Sequence, residues 1–165
     1  MKENRQDKEK TKEKENKKSK KNKDTLEIQD LKEGKTSIGE LISIAKDVMK
    51  NAYVPYSNFK VGAALLTKSG KIYTGVNIEN SSFGLTNCAE RTAIFKAISE
   101  GEREFETLVV VADTEEPVSP CGACRQVMSE FGDFEVVLTN LKGDIIQTSV
   151  NQLLPYSFDK DDLKK

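Results

Sequence analysis

The sequence predicts an α/β layer domain. Three observations carry that expectation: a helix with one apolar face near its start, a continuous apolar run at Leu108-Val109-Val110-Val111, and pairs of short strands joined by tight Gly-containing links with helices between them. In chain order, Ile38, Leu41, Ile42, Ala45, Val48, Met49 and Ala52 recur at the three-and-four spacing of a helix. Ser37 with Glu40 has the form of a capping box, and Pro55 is the expected stop. Residues 61–67 and 71–77 read as two strands joined by the hairpin Lys68-Ser69-Gly70. Residues 78–87 are polar, without periodicity, and read as a loop.

A second helix is expected from about Ala89, with Ala93, Ile94, Ala97 and Ile98 inward and Gly101 at its end. The apolar run in 107–113 predicts a central strand covered on both faces. After a loop at 114–120, a helix opening at Cys121 presents Cys124, Val127, Met128 and Phe131 on one side. Residues 134–139 and 144–148 are the last strands, and 150–154 a short closing helix. Only Asn140-Leu141-Lys142-Gly143-Asp144 joins those last strands. A parallel pair needs a crossover of about a dozen residues or more, so they must be antiparallel.

Charge is distributed unevenly over the 165 residues. Residues 1–24 hold 11 Lys or Arg against 6 Asp or Glu, and no apolar side chain beyond Met1, so the remainder carries −6 of the formal net charge of −1. Such a segment buries too little apolar surface to offset its ordering entropy, which predicts a disordered tail, with a linker at 25–36 and a domain at 37–165. The interspersed acids argue against a transit peptide, and no apolar signal core or membrane span follows. The acidic domain lacks the basic footprint of a phosphate-backbone binder, so nucleic acid is not an expected partner.

The chain has 3 cysteines and no histidine. Any soft-metal site must therefore use Cys88, Cys121 and Cys124, and three thiolates leave one tetrahedral position open, the arrangement of a catalytic rather than a structural zinc. Cys121 and Cys124, three apart, share a face of a first helical turn. Cys88 and Glu90 stand at the start of another helix, which would place Glu90 as a base beside the open position. Three other readings compete: a Cys121–Cys124 disulfide, which leaves one cysteine over; a thioredoxin-type redox pair, which explains neither Cys88 nor Glu90; and a structural zinc site with an unseen fourth ligand.

Cys88-Ala89-Glu90, a spacer, then Pro120-Cys121-Gly122-Ala123-Cys124 resembles the signature of the zinc nucleoside deaminases, in the form where Cys replaces the commoner His. The likeness extends over roughly 37–160. Tyr53-Val54-Pro55-Tyr56-Ser57-Asn58-Phe59-Lys60-Val61-Gly62-Ala63-Ala64-Leu65, Asn77-Ile78-Glu79-Asn80, Asn87 to Ala93, Ser119 to Gln126 and Leu153-Leu154-Pro155 are similar to the small homotetrameric cytidine deaminases. The resemblance implies a three-layer α-β-α fold on a five-stranded mixed sheet, and one Zn²⁺ per subunit. It further implies hydrolysis of cytidine and deoxycytidine to uridine and deoxyuridine, as cytoplasmic pyrimidine salvage. In that scheme a zinc-activated water attacks C4 and Glu90 shuttles the protons.

The same resemblance assigns further roles. The Ala89 amide would donate to the ring carbonyl, Asn77 and Glu79 would read the sugar, and Phe59 would stack on the base. Phe158 resembles an aromatic that the family lends to a neighbouring subunit. Arg91 would donate to the sulfurs and offset the negative charge of a three-thiolate zinc, helped by Gln126. Two alternatives from the same motifs are a blasticidin-type deaminase with a different pocket, and a non-catalytic zinc-stabilised binding module.

Overall fold

The structure, a computed structural model, describes residues 36–164; the expected tail and all but the last residue of the expected linker lie outside the described residues. The features below belong to the compact unit that begins at Glu40, apart from the first residues of one helix. That helix, α1 (Ile38–Met49), buries Leu41, Ala45 and Met49, the inward stripe its periodicity predicts. It ends well before Pro55. The chain leaves it through turn bonds from the Asn51 and Ala52 amides to the Val48 and Met49 carbonyls, so those bonds and not the proline terminate it.

The strands β1 (Val61–Thr67) and β2 (Ile72–Val76) form the expected hairpin. A 3₁₀ turn, Phe83–Leu85, lies in the polar loop before α2 (Ala89–Ser99). Then come β3 (Phe105–Ala112), α3 (Gly122–Ser129), β4 (Glu135–Asn140), β5 (Ile145–Ser149) and α4 (Val150–Leu153). β3 starts earlier than expected because Phe105, itself buried, pairs with Thr67 and packs on Phe131 and Phe134. Phe131 lies past the end of α3 and reaches the core from the turn that follows.

One five-stranded sheet results, in the order β2-β1-β3-β4-β5. β3 and β4 are parallel, joined by a crossover that contains α3, and the remaining pairs, β4 with β5 included, are antiparallel. This is the mixed sheet of the three-layer α-β-α fold. Every residue of β1 is buried, which requires cover on both faces. Ala63 and Leu65 join Leu108, Val110, Val136 and Leu138 on the face that α2 and α3 cover with Ala93, Ile94, Ala97 and Met128. On the opposite face Gly62 meets α1, where a Cβ would stand 2.2 Å from the Ala45 carbonyl oxygen. Among the described residues no helix is long and apolar enough to cross a membrane.

Gly75 in β2 sets the position of α2. A Cβ there would lie 2.2 Å from the Ala89 carbonyl oxygen and 2.5 Å from the Ala93 amide nitrogen, both backbone atoms that cannot turn aside. Only glycine lets the first turns of α2 lie this close to the sheet. Gly75→Ala is therefore expected to destabilise the fold by about 1–3 kcal/mol, the usual cost of overpacking. It should also lower retention of the expected zinc, because the displaced backbone carries Cys88 and Glu90. Denaturant unfolding and metal analysis of the purified variant measure the two effects.

Candidate functional site

The start of α2 is held by its approach. The Ile78 and Asn87 amides each donate to the other's carbonyl, at 2.9 and 3.0 Å, pinching the base of the loop between them. Asn87 Nδ2 then donates to Thr92 Oγ1, and that hydroxyl donates to the Cys88 carbonyl oxygen, each at 3.0 Å. Cys88 occupies the N-cap of α2, and Cys121 occupies the N-cap of α3. Both have extended backbone there and neither caps with its side chain, so the sulfurs are free to point past the helix ends. Cys124 sits in the first turn of α3, fully buried.

The three Sγ atoms lie within 4.8 Å of one another, with Cys88 and Cys121 Sγ 3.8 Å apart. Two sulfurs bound to one tetrahedral zinc at about 2.3 Å stand about 3.8 Å apart, so the donor set fits that ion. All three cysteines are free, which removes the disulfide reading, and Cys121 Sγ is in contact with Cys88 Sγ, a cysteine that a Cys121–Cys124 redox pair leaves unexplained. Their protons are unevenly held. The Cys88 thiol is pulled down to about 5, first by its hydrogen bond with Cys124 and then by those with Arg91 and Cys121. Cys124 is pushed up by the same bond to Cys88, by burial and by the Glu90 charge.

Glu90 is only 5% exposed, in the first turn of α2. Burial chiefly, and the Cys88 charge in addition, raise its carboxyl above the ordinary carboxylate range. Arg91 Nη2 donates to Cys88 Sγ and to the Thr86 carbonyl oxygen, each at 3.5 Å, and its contacts with Cys88 and then Cys124 favour its charged form. A fixed cation thus stands against the thiolates on the side the sequence expects.

A cavity of about 230 Å³ opens over Cys88 and Cys121, lined also by Glu90, Ala89, Phe59 and Asn77 among others. Ala89 is the first residue of α2, where amides have no partner within the helix and can meet a ligand acceptor. Asn77 Oδ1 accepts from the Val61 amide at 2.9 Å, and its Nδ2 donates to the Phe59 carbonyl oxygen at 2.7 Å. Each amide atom keeps one further hydrogen-bonding position. Glu79 lines an adjoining cavity of about 420 Å³ with Tyr56, Ser57, Phe83 and Thr86, and Thr86 borders both spaces. Its carboxyl is held below the ordinary range, first by the Ser57 hydroxyl and then by the Tyr56 and Ser57 amides.

Gln126 is placed away from the sulfurs, and Phe158, expected to serve a neighbouring subunit, lies outside both cavities of its own chain. Gln126 is exposed and donates to the Phe158 carbonyl oxygen at 2.7 Å. Two positions beyond Cys124 on a helix, its side chain points away from the face that carries the sulfurs. Phe158 is 60% exposed and lines neither cavity. Val118, Ser119, Thr86 and Asn87 line the smaller cavity without having been singled out for a role there. Arg125, also unanticipated, donates to the Pro120 carbonyl oxygen at 2.8 Å and to the Leu153 carbonyl oxygen at 3.0 Å, tying the residue before Cys121 to the end of α4. The turn-forming Ser57-Asn58 pair was the available signal for the Glu79 contacts, and an isolated strand glycine the signal for Gly75.

Residues 35–140 match the family model described as the cytidine and deoxycytidylate deaminase zinc-binding region. The chain is 62% identical over 128 residues to a cytidine deaminase of Sporosarcina psychrophila, covering 76% of this chain and 94% of that one. A crystal structure of cytidine deaminase from Burkholderia pseudomallei matches with a TM-score of 0.73 at 54% identity, over 74% of this chain and 100% of that chain. A blasticidin-S deaminase of Bacillus cereus is more distant, 32% identical over 130 residues, 74% of this chain and 92% of the relative. By fold, by its three-sulfur centre and by these likenesses, the chain belongs to the cytidine and deoxycytidylate deaminase family of zinc-binding proteins.

Proposed function

We propose that the protein hydrolyses cytidine and deoxycytidine to uridine and deoxyuridine, releasing ammonia. The observation that carries this reading is the convergence of the three cysteine sulfurs, two of them in the wall of a cavity that the buried Glu90 also lines. Cys88, Cys121 and Cys124 would hold Zn²⁺, which supplies Lewis acidity that brings the pKa of a coordinated water toward neutrality. Glu90 takes a proton from the attacking water and delivers it to N3 as oxygen bonds to C4. It then carries the second proton to the exocyclic nitrogen, and the C4–N bond breaks with loss of ammonia. A carboxyl raised by burial suits that double task, since a shuttle must both accept and release near the working pH.

The Ala89 amide binds the ring carbonyl, Phe59 covers the base, and Asn77 and Glu79 take the sugar hydroxyls with the positions that the backbone leaves open on them. Arg91 offsets the charge of the thiolates. Among the described residues no Lys or Arg lines either cavity, and Glu79 adds a negative charge to the larger one. That lining favours a neutral nucleoside over a nucleotide, whose phosphate would meet a carboxylate and no cation. We infer in addition one zinc per subunit of a homotetramer, acting in the cytoplasm in pyrimidine salvage, with the domain at 37–165.

A side-by-side assay tests the substrate class. Cytidine and deoxycytidine are expected to turn over with kcat/KM at least about a hundredfold above cytidine monophosphate, whose phosphate meets an unfavourable charge. Free cytosine, lacking the sugar that Asn77 and Glu79 hold, should also be poor. Preference for blasticidin S, or for the nucleotide, overturns the reading.

A further inference from the structure

We propose that Ser57 is a positioning residue for sugar recognition, whose single hydroxyl fixes both the Glu79 carboxylate and the backbone of Phe59. This rests on the nucleoside reading above and deepens it.

The Ser57 hydroxyl donates to Glu79 Oε1 and accepts from the Phe59 amide at 3.0 Å. Glu79 Oε2 accepts from the Tyr56 amide at 2.9 Å and from the Ser57 amide at 3.3 Å. A carboxylate offers about four acceptor positions. The loop occupies three of them, leaving one for a ligand on a group that lines the larger cavity. Unheld, a long acidic side chain at a strand exit samples many rotamers; three donors select one.

The other half of the device is Phe59. Its amide goes to Ser57 and its carbonyl oxygen accepts from Asn77 Nδ2 at 2.7 Å, so both peptide groups that set its ring are fixed by the site. Between the two residues Asn58 takes a left-handed backbone, φ 56°, which turns the chain so that the Ser57 hydroxyl and the Phe59 amide face each other. Asn tolerates that conformation far better than a β-branched residue would. The Tyr53 amide donates to the Asn77 carbonyl oxygen at 3.1 Å and the Glu79 amide to the Tyr53 carbonyl oxygen at 2.8 Å, closing the other end of the segment. Residues 53–61 and 77–79 are therefore stitched at three levels, and Ser57 is the one side chain of the loop that joins the sugar side to the base side.

Steady-state kinetics of Ser57→Ala, Ser57→Thr and Glu79→Ala, singly and as the Ser57→Ala/Glu79→Ala double variant, test this with cytidine and with 2′,3′-dideoxycytidine. Ser57→Ala is expected to raise KM for cytidine about tenfold with kcat changed less than about threefold, the size of one charge-assisted hydrogen bond expressed in binding. Ser57→Thr keeps the hydroxyl and should restore KM to within about threefold of the wild type. In the Glu79→Ala background the same change should raise KM by no more than about threefold, the share that acts through the Phe59 backbone, because the contact with the carboxylate is gone. With the dideoxy substrate, which lacks the hydroxyls Glu79 reads, its effect should likewise shrink below about threefold. Equal losses on both substrates, additive losses in the double variant, or no rescue by threonine overturn the proposal while the wild type remains an active cytidine deaminase. A wild type inert towards cytidine overturns instead the functional reading on which it stands.

Discussion

Glu90→Gln is expected to abolish turnover while zinc stays bound. Gln keeps the size of the side chain and its place in the first turn of α2, but it cannot accept a proton from water and pass it to N3. General acid–base catalysis by a placed group contributes typically 10²–10⁴-fold, and here one carboxyl serves two transfers, so a fall in kcat of at least about 10⁴ is expected, about 5.5 kcal/mol on the barrier. Retained turnover above about a tenth of the wild-type rate would remove Glu90 as the shuttle. A binding module that needs metal only to fold would show no catalytic rate to lose, and the wild-type assay separates that case.

The same substitution carries a stability signature. Glu90 is almost wholly buried and its carboxyl is raised chiefly by that burial. A group whose folded pKa is raised contributes its stability in full below the unfolded value, and loses it as pH rises through the folded one. In chelator-treated protein, Glu90→Gln is therefore expected to be the more stable form at and above neutrality. The two forms should converge as pH falls below the ordinary carboxylate value of 4.5. Thermal unfolding at pH 4 and pH 8 checks the sign.

What the chain reveals before folding is what local rules govern. The four-residue apolar run in β3 is a buried central strand because nothing in it tolerates water on either face, and the short link before β5 left only one direction of pairing. The cysteines were legible for a related reason: with no histidine in the chain, few donor sets exist. Boundaries were less legible where tertiary contacts decide them. α1 ends on turn bonds before Pro55, and Phe105 extends β3 by joining an aromatic cluster assembled from distant segments. Gly75 is the clearest case. Its spacing says only that a strand contains a glycine, and the reason lies in a helix backbone brought against it from 14 residues later in the chain, at Ala89.

Site residues divide the same way. Cys121 and Cys124 are related by helical spacing, and Cys88 and Glu90 by a helix start, so local geometry locates them. The Ser57 contact with Glu79 spans 22 residues and exists only once the 53–61 segment has folded over the strand exit. Gln126 shows the opposite limit: its nearness to Cys124 in sequence suggested a place among the sulfurs, but helical rotation turns it to the C-terminal segment.

Removing zinc with a chelator is expected to eliminate turnover, lower the unfolding midpoint, and change the protonation of the cysteine cluster. Zinc ligates thiolates, so every thiol proton still present must leave when the ion enters. In the metal-free chain the charge concentrates on Cys88, whose thiol is brought to about 5 by Cys124 and Arg91. Cys124 is the counterpart: it donates to that thiolate, is buried, and faces the Glu90 charge, all of which keep its proton on. Cys88 thus arrives charged at neutral pH and Cys124 arrives protonated. Zinc uptake near pH 7 should therefore release at least about one proton per ion, and apparent affinity should fall as pH falls. Calorimetric titration in buffers of different ionisation enthalpy counts those protons directly. Activity should return with stoichiometric Zn²⁺ and not with Mg²⁺, a hard ion that takes oxygen ligands and has no use for three sulfurs. Zinc uptake without proton release would mean that the sulfurs are not the ligands, and full activity of metal-free protein would remove the site from the chemistry altogether.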